Sequence, residues 1–403
     1  MRNLEKSMPV IRFKGFSEAW EQRKLGDIAN YRNGKAHEQV EDEDGKYTII
    51  NSKFISTNGK VQRYTNEQVE PIFDGEIAMV LSDLPNGKAL AKLFLVKEDG
   101  KYTLNQRIAG ITPNENIDPI FLNFRMNRNN YFLKFDSGVT QTNLSKSQVE
   151  NFIALYPTFD EQYKIGLFFT QLDDTIALHQ RKLDALKLMK KGLLQQMFPN
   201  NEEKVPRLRF ADFNEKWERC KISSFARNTY GGGTPKTNVP EYWQGRIPWI
   251  QSGDLLIDSL FNIIPKKHVT GSAVKSSATK CIPANSIAIV TRVGVGKLAF
   301  IPFEYTTSQD FLSLSNLRVD SNFGTYSIYI MLQRELNNIQ GSTIKGITKS
   351  DLLEKNINKP LNRIEQERIG VSLKLLDNII TLHQSKLEKL SSLKKVYLQR
   401  MFI

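Results

Sequence analysis

The chain contains the same long helical passage twice. The passage from Glu161 to Phe198 returns without a gap from Glu365 to Phe402, and about half of the aligned positions are identical. The opening of each half also repeats: Pro9, Arg12, Phe13, Phe16, Trp20, Glu21 and Lys24 return as Pro206, Arg209, Phe210, Phe213, Trp217, Glu218 and Lys221. Such a repeat predicts the order globular unit, long helix, globular unit, long helix. Two copies of one binding unit indicate a ligand with two related sites at a fixed separation.

The chain is strongly basic for a protein of ordinary composition. Its 56 Lys and Arg residues against 43 Asp and Glu give a net charge of +13. Such a surplus attracts polyanions and favours nucleic acid as the partner, although charge can also serve solubility alone. The sequence has no apolar run long enough to cross a membrane and no secretory signal. Two cysteines, and histidines without zinc-ligand spacing, predict a cytoplasmic protein without a metal site.

Composition and turn signals divide the chain into five segments. Residues 1–157 and 207–360 are predicted to form two mixed domains, 158–198 and 361–403 two long helices, and 199–206 a polar linker bounded by prolines. Strands are predicted in each domain at 47–50, 77–81, 93–96, 247–250, 286–290 and 298–301, with a helix starting near 121 and another near 327–337. The order of elements is shared although the sequences differ, which is typical of one fold that reads two different targets.

Capping signals mark the start of each long helix. Thr158 with Glu161, and Asn362 with Glu365, stand at the spacing of a capping box. In this motif the side chain of the first residue accepts a hydrogen bond from a free backbone amide, and the glutamate side chain accepts one from the backbone amide of the first residue.

Each long helix also carries a heptad pattern of apolar residues. Steps of four and three residues define a seam: Ile165, Phe169, Leu172, Ile176, His179, Leu183, Leu186, Lys190, Leu193 and Met197, and Ile369, Leu373, Leu376, Ile380, His383, Leu387, Leu390, Lys394, Tyr397 and Met401. Such a seam requires a partner helix, although each helix could instead lie on its own domain. A helix of this length, about 57 Å, is longer than a small domain needs. We therefore expect the two helices to pair with each other.

Polar residues interrupt both seams at matching positions. These are His179 and His383, and Lys190 and Lys394. Polar seam residues cost stability and tend to fix the register of the helices. A pseudo-twofold relation between the repeats makes the helices antiparallel, and it predicts that His179 lies within about one layer of His383.

Catalytic motifs are missing from the sequence. A methyltransferase that acts on bases needs a cofactor pocket and a catalytic loop, and neither an Asn-Pro-Pro-aromatic nor an Asp-Pro-Pro-aromatic tetrapeptide occurs. The segment Gly294–Lys297 resembles part of a phosphate loop, but Thr291 and Leu298 break the pattern. No Ser-His-Asp or Cys-His arrangement can be argued. The sequence favours a binding protein, with two alternatives: a fused methylase or nuclease, and a coiled-coil structural protein without sequence preference.

Several segments resemble the specificity (S) subunits of type I restriction–modification systems. Those in the helices and domain openings are Lys182–Leu186, Leu188–Phe198, Lys386–Leu390, Gln399–Phe402, Arg12–Trp20 and Arg209–Trp217. In the second domain, Gly233–Lys236 and Ile247–Ile250 also resemble the family. The first domain departs from that pattern, with Asn33–Ala36 and Tyr47–Ile50 instead.

The resemblance implies an α+β fold in which two similar mixed α/β domains are separated by a pair of long antiparallel coiled-coil helices, with a pseudo-twofold internal repeat. Each domain would read one half of a bipartite, asymmetric site in double-stranded DNA, and the helices would set the spacer. Two modification subunits would bind around the helices, bring S-adenosylmethionine and methylate adenine. Two restriction subunits can join them, with ATP and Mg²⁺. The S subunit would be non-catalytic and hold no cofactor itself.

Polar loops that follow strands are the candidate DNA contacts. Gln, Asn and Arg side chains can read base edges in pairs of hydrogen bonds, while Lys, Ser and Thr position phosphates. The candidates are Ser52, Lys53, Gln106, Arg107, Thr140, Gln141, Thr142, Asn143 and Lys146 in the first domain, and Thr234, Lys236, Ser252, Arg292, Lys297, Gln309, Thr343 and Lys345 in the second.

Overall fold

A computed structural model describes residues 8–37, 39–85, 87–200, 203–338 and 346–402. The chain forms two compact units, the first made of Met1–Gln180 with Ser385–Ile403 and the second of Arg181–Gln384. Each unit therefore contains one globular domain and one half of each long helix. The segment boundaries predicted from the sequence instead make each helix a segment of its own. Within the described part of the chain, none of the helices has both the length and the apolar character that a membrane span requires.

The first unit is built from short strands. They are β1 (Glu21–Lys24), β2 (Ala29–Asn33), β3 (Tyr47–Ile50), β4 (Tyr64–Thr65), β5 (Pro71–Ile72), β6 (Ile77–Val80), β7 (Ser82–Asp83), β8 (Leu93–Leu95), β9 (Tyr102–Leu104), β10 (Ile108–Pro113), β11 (Thr142–Asn143) and β12 (Ile153–Tyr156). An antiparallel sheet has the order β2-β10-β6-β8, and a second sheet has the order β4-β3-β9-β5, with β3 and β9 parallel. β1 pairs with β12, so the beginning of the domain is joined to its end.

Helices complete this domain. They are α1 (Leu25–Ile28), α2 (Ser52–Ser56), α3 (Pro119–Met126), α4 (Asn130–Leu133) and α5 (Lys146–Glu150), followed by the long helix α6 (Phe159–Gln196). Four of these short helices, α2 to α5, begin where a polar side chain accepts a hydrogen bond from a backbone amide of the first turn. Ser145 and Gln148 form a complete capping box at the start of α5.

The second unit repeats this plan. Its strands are β13 (Glu218–Lys221), β14 (Ala226–Gly231), β15 (Ile247–Ile250), β16 (Lys267–Val269), β17 (Ser286–Val290), β18 (Leu298–Ile301), β19 (Thr306–Thr307), β20 (Phe311–Leu317) and β21 (Asn356–Lys359). The sheet β14-β20-β17-β18 corresponds to β2-β10-β6-β8, and β13 pairs with β21 as β1 pairs with β12. In the sheet β16-β15-β19, β15 and β19 run parallel as β3 and β9 do. One fold therefore carries two diverged sequences.

The helices of the second unit differ from those of the first in length and in type. They are α7 (Gly271–Lys275), α8 (Ser321–Asn338), α9 (Lys349–Glu354) and the long helix α10 (Arg363–Met401), with 3-10 turns at Ile222–Phe225, Pro240–Trp243 and Ser252–Asp254. α8 stands where α3 stands in the first unit but has 18 residues instead of 8.

Most of the predicted elements are confirmed. Each of the six predicted strand runs contains an observed strand, and the helix predicted near 121 is α3. The helix predicted near 327–337 is α8, which begins earlier, at Ser321. Asp320 accepts a hydrogen bond from Phe323 N there at 2.8 Å, which sets the start of the helix.

Each long helix begins beside one domain and ends in the core of the other. In the first unit, Phe402 at the end of α10 lies 5.4 Å from the ring of Phe121 and 5.7 Å from that of Phe169. In the second unit, Phe198 after α6 stacks on Phe323 at 5.5 Å. The repeated Met-Phe strings are therefore core residues. Within each unit the two half-helices run antiparallel, because one contributes its beginning and the other its end.

The predicted heptad seams coincide with the burial pattern. Every seam position of α6 and α10 is buried or half-buried, whereas most positions between them are exposed. Ile165, Leu183 and Ile369 are each no more than 2% exposed. His179 and His383 are half-buried, and their pairing stays a prediction.

The two seam lysines are compensated by aspartates of the opposite helix. Lys190 Nζ lies 2.5 Å from Asp377 Oδ1, and Lys394 Nζ lies 2.5 Å from Asp173 Oδ1. The two pairs are one contact that occurs twice in the repeat. Each lysine therefore has a charged partner at a position where an unpaired charge would be costly.

A buried ion pair ties the opening of each domain to the start of a long helix. Arg12 donates two hydrogen bonds of 2.7 Å to Glu161, and Arg209 donates two of 2.7 and 2.8 Å to Glu365. Trp217 Nε1 also donates to Glu365, at 3.1 Å. The glutamates are 0% and 1% exposed. The hydrogen bonds from Arg209 to Glu365 raise the pKa of the guanidinium above its ordinary value.

The predicted capping boxes therefore need correction. Asn362 Oδ1 does accept from Ile364 N, at 2.8 Å, as an N-cap should. The carboxylate oxygens of Glu365 and Glu161, however, bind Arg209 and Arg12. A buried carboxylate gains more from a bidentate charged pair than from one backbone amide.

The glutamine that follows each glutamate binds the start of an earlier helix of the same domain. Gln162 Oε1 accepts a hydrogen bond from Asp118 N at 3.1 Å, and Gln366 Oε1 accepts one from Asp320 N at 3.0 Å. Asp118 and Asp320 cap α3 and α8. Gly370 allows α10 to lie close to the start of α8, because an added Cβ would lie only 2.7 Å from Asp320 Oδ1. The repeated Glu-Gln-x-x-Ile-Gly string is thus a docking joint between helix and domain.

We expect Arg209→Ala to lower the free energy of unfolding by about 3–5 kcal/mol, because it leaves the Glu365 carboxylate buried and without its charged partner. Urea unfolding followed by tryptophan fluorescence measures the change. Arg368→Ala is the control, since Arg368 pairs with Asp212 2.7 Å away on the exposed side of the same helix and should cost less than about 1 kcal/mol. Equal losses in both variants would contradict the assigned role.

Candidate nucleic-acid interface

In the first unit, backbone hydrogen bonds bring the candidate loops together. Asn105 N donates to Ile50 O at 3.0 Å, Leu81 N donates to Arg107 O at 2.9 Å, and Leu144 N donates to Leu81 O at 2.8 Å. These bonds join the segment after β3, the β9–β10 turn, the segment after β6 and the segment before α5. Four loops that are distant in sequence therefore share one surface.

The second unit contains the same set of bonds. Ser308 N donates to Ile250 O at 3.0 Å, Thr291 N donates to Asp310 O at 2.7 Å, and Ile347 N donates to Thr291 O at 2.8 Å. The loops are thus held by one backbone frame in both units, while the side chains on that frame are free to differ.

The frame makes particular residues equivalent. Gln309 occupies the position of Gln106, and Asp310 occupies that of Arg107, since both pairs lie in the turn between the matching strands. A cation in one unit is therefore replaced by a carboxylate in the other. Two domains that differ in this way offer different hydrogen-bonding groups to a ligand.

A cleft of about 350 Å³ opens on this surface in the first unit. It is lined by Asn51, Ser52, Lys53, Arg63, Asn105, Gln106 and Arg107, which include four of the predicted contacts. Asn51 accepts from Phe54 N at 2.8 Å and so fixes the start of α2. Arg107 has a positive φ of 67°, so the turn holds it in an uncommon conformation with its side chain exposed.

The remaining candidates of the first domain fall into two groups. Thr140, Gln141 and Asn143 are exposed, and Gln141 Nε2 donates to Ser82 Oγ at 2.7 Å. Thr142 is buried, and its hydroxyl donates to Asp136 Oδ1 at 3.3 Å, so it supports the loop from below.

Lys146 lies apart from the cleft lining, at the start of α5. Its ammonium is 3.6 Å from Glu150 and 5.8 Å from the ring of Tyr31. Part of its charge is therefore used within the domain.

In the second domain the structure brings several candidates together in pairs. Thr234 Oγ1 donates to Gln309 Oε1 at 2.6 Å, and Lys297 Nζ donates to Ser252 O at 3.2 Å. Arg292 is exposed in the loop after β17. Lys236 is also exposed, and its carbonyl oxygen accepts from Trp243 Nε1 at 3.2 Å. Thr343 and Lys345 lie outside the described residues.

Glycines allow the segment before Thr234 to pass close to this frame. A Cβ on Gly232 would lie 1.9 Å from Ser308 O, and Trp249 Nε1 donates to Gly233 O at 3.1 Å. The first domain keeps the same approach, because a Cβ on Gly34 would lie 2.1 Å from Asn105 O. The departure of the first domain from the Gly-Thr-Pro pattern therefore leaves the backbone frame unchanged.

Lys349 was missed by the sequence analysis. Partial burial first, and then the nearby charges of Arg292 and Lys280, lower the pKa of its ammonium, while the nearby carboxylate of Asp310 acts in the opposite direction. The positive charges of Arg292 and Lys280 near Lys349 make this a favourable place for a phosphate. The repeat could have revealed this residue, because Lys349 opens α9 as Lys146 opens α5.

The family of the chain follows from a comparison with known proteins. The family model described as the type I restriction modification DNA specificity domain matches residues 17–188 and 214–392. The chain belongs to this family. Within the residues described here, no three His, Cys, Asp or Glu side chains come together in a group that could hold a metal ion.

Relatives support this assignment over the full length. The type I restriction enzyme MjaVIII specificity subunit of Methanocaldococcus jannaschii is 21% identical over 403 residues, which cover 94% of this chain and 91% of that protein. The EcoR124I/EcoR124II specificity subunit of Escherichia coli is 35% identical over 175 residues, 40% of each chain. The S subunit structure from M. genitalium has the same fold, with a TM-score of 0.65 at 12% identity over 98% of this chain and 99% of that one.

The family resemblance and the fold class predicted from the sequence are confirmed. The chain is a type I restriction–modification specificity subunit, the non-catalytic subunit that carries DNA-recognition domains. Its two family-matched regions are the two mixed domains with the long helices α6 and α10.

We expect Gly232→Ala to lower the free energy of unfolding by about 1–3 kcal/mol, because the new Cβ would collide with a backbone oxygen that holds the loop frame. Thermal unfolding followed by circular dichroism measures the loss. Gly253→Ala is the matched control, since an added Cβ there meets nothing within 4 Å. If the two variants unfold alike, the close approach does not constrain the loop.

Proposed function

We propose that the two domains read the two halves of a bipartite, asymmetric sequence in double-stranded DNA, and that α6 and α10 set the unspecified spacer between them. The observation that carries this proposal is the repeated backbone frame, which presents the same loops in both units with different side chains. A repeated frame with different chemistry is what two unlike half-sites require. The net charge of +13 supplies the attraction to the phosphate backbone.

In the first domain the cleft side chains are the proposed base readers. Arg107 can donate two hydrogen bonds to a guanine, and Gln106 can pair with an adenine in the same way. Lys53 and Ser52, at the start of α2, are suited to phosphates. Thr140, Gln141 and Asn143 extend the same surface, while Thr142 and Lys146 would act through the loops that they support.

In the second domain we assign base reading to Gln309 and Arg292, and phosphate contacts to Lys297, Ser252 and Lys349. The hydrogen bond from Thr234 holds the amide oxygen of Gln309 and so fixes the orientation of its amino group. Lys236, Thr343 and Lys345 stay proposed contacts on the basis of sequence alone.

The long helices suit the role of a spacer. They have 38 and 39 residues, and each is fixed at its start by a buried Arg–Glu pair and at its end by a Met-Phe in a domain core. A helix fixed at both ends has little freedom to change the distance between the groups at its ends.

A second apolar stripe supports the docking of partner subunits on the helices. On α6, Leu167, Leu178 and Met189 are 41%, 58% and 54% exposed, and on α10 the matching Val371, Leu382 and Leu393 are 50%, 68% and 42% exposed. Positions 11 residues apart share one helix face, because they differ by about three full turns. We call these six residues the outer stripe. Exposed apolar residues in a repeated row mark an interaction surface.

We propose that two modification subunits bind the outer stripe, one for each repeat. They would bring S-adenosylmethionine and methylate adenine at the site that the specificity subunit reads. Two restriction subunits, with ATP and Mg²⁺, can join the same complex. The specificity subunit itself would then hold no cofactor for these reactions.

We expect Arg107→Ala and Arg292→Ala each to relax the sequence preference in a different half of the DNA site. Loss of one bidentate contact costs about 1–3 kcal/mol of discrimination against the wrong base. Sequencing of methylated adenines in DNA treated with the complex of this chain and its modification subunits measures the preference.

Lys97→Ala is the control for these variants, because Lys97 is exposed but lies outside the loops of the frame. It should leave both half-sites unchanged. Unchanged preference in both arginine variants would refute the assignment, and methylation without any split motif would refute bipartite reading as a whole.

We expect the double variant Leu178→Lys/Leu382→Lys to lose binding of the modification subunits while its melting temperature changes little, because both side chains are exposed in the free chain. Size-exclusion chromatography with light scattering measures the stoichiometry of the complex. Ser391→Lys is the control, since it lies about 180° around α10 from Leu382. A normal complex with the double variant would exclude the outer stripe as the docking surface.

A further inference from the structure

The second unit contains a large, partly open cavity that the DNA-reading role does not use. Its volume is about 800 Å³, and it lies between α6, α8, α10 and the segment Asp258–Asn262. Pockets that bind small molecules have volumes of about 300–1,000 Å³. The cavity is therefore large enough for a molecule of nucleotide size.

The lining of the cavity is basic. Five cationic side chains and two carboxylates line it. Both carboxylates are already held: Tyr329 donates to Asp258 Oδ1 at 2.8 Å, and Asp377 binds Lys190 at 2.5 Å and the Tyr326 hydroxyl at 2.6 Å. Arg207 is also paired, with Glu203 at 3.3 Å. The lining cations that remain for a ligand are therefore Lys187, Lys191 and Arg334.

Arg334 is the most constrained of these cations. It donates to the carbonyl oxygens of Phe198 and Pro199 at 3.1 and 2.9 Å, so neutral oxygens rather than a carboxylate meet its charge. Burial lowers the pKa of its guanidinium below the ordinary value. An anion that enters the cavity would therefore stabilise the charge of this half-buried guanidinium.

The cavity depends on a feature that distinguishes the second domain from the first. Tyr329, Gln333 and Arg334 come from the later turns of α8, which has 18 residues. The corresponding helix of the first domain, α3, has only 8 residues and ends before those positions. The cavity walls are thus not a simple consequence of the internal repeat.

We propose that this cavity binds a phosphorylated small molecule of about nucleotide size. Lys187, Lys191 and Arg334 would contact the phosphates, because ammonium and guanidinium groups bind phosphate oxygens strongly. Asp258 keeps acceptor capacity for a hydroxyl or amino group of the ligand, which an inorganic polyanion would not use. The proposal is independent of DNA reading, since none of these residues belongs to the loop frame.

Isothermal titration calorimetry of the full chain with ATP, in the absence of divalent metal, tests the proposal. We expect one ATP to bind per chain, adenosine not to bind, and Lys187→Gln/Lys191→Gln to weaken ATP binding by about ten-fold or more. Both lysines are exposed, so this double variant should fold normally, which circular dichroism checks. Arg334→Gln should also weaken ATP binding. The lysine double variant is the decisive test, because Arg334 also donates to two carbonyl oxygens and its loss could disturb the fold.

Lys395→Gln is the matched control, because Lys395 is the repeat counterpart of Lys191 on α10. It should leave ATP binding unchanged. The proposal is overturned if ATP does not bind at about millimolar concentration, or if the control weakens binding as much as the double variant. Competition between a short DNA duplex and ATP would also overturn it, since the cavity would then belong to the DNA path.

Discussion

The fold of each unit depends on a buried charge at the start of a long helix. Glu161 and Glu365 are almost fully removed from solvent, and each would be costly there without the two hydrogen bonds from Arg12 or Arg209. The arginine belongs to the opening of the domain, and the glutamate belongs to the helix that follows its last strand. One ion pair therefore fixes the start of the helix to the start of the domain, and the direction of the helix follows from it.

The end of each helix is fixed by different chemistry. Phe198 and Phe402 pack against the aromatic rings of Phe323 and Phe121, in the core of the domain that the helix reaches. Electrostatic anchoring at one end and apolar packing at the other make the helices part of both cores. The seam between them then needs only moderate apolar content, and the Lys–Asp pairs can interrupt it without leaving an unpaired charge.

The two domains show how one scaffold can carry two different surfaces. The backbone bonds that gather the loops are the same in both units, so the scaffold tolerates any side chain that leaves the backbone path open. Glycine is needed where the chain passes directly against a backbone carbonyl oxygen, as at Gly34 and Gly232. Elsewhere the side chains are free to diverge, and Asp310 in one unit takes the place along the frame that Arg107 takes in the other.

Much of the architecture could be predicted from the sequence because it depends on local periodicity. The repeat predicts two similar domains and two helices, and the heptad steps predict which helix face is buried. The outer stripe could not be recognised in the same way, because apolar residues that lie off the seam of a long helix can either pack on a domain or stay exposed, as Leu178 does. Only the packing of the folded chain shows which of them lacks a partner.

The candidate site could also be predicted only in part from the sequence. The sequence by itself determined the family, the repeat, the helices and the polar loops, because these follow from residue type and spacing. Only the tertiary structure decided that Ser52, Gln106 and Arg107 share a cleft, that Thr142 is buried, and that Lys349 lies near Arg292. The physical reason is that these positions are joined by hydrogen bonds and charges between segments far apart in the chain, and such contacts leave no periodic mark in the sequence.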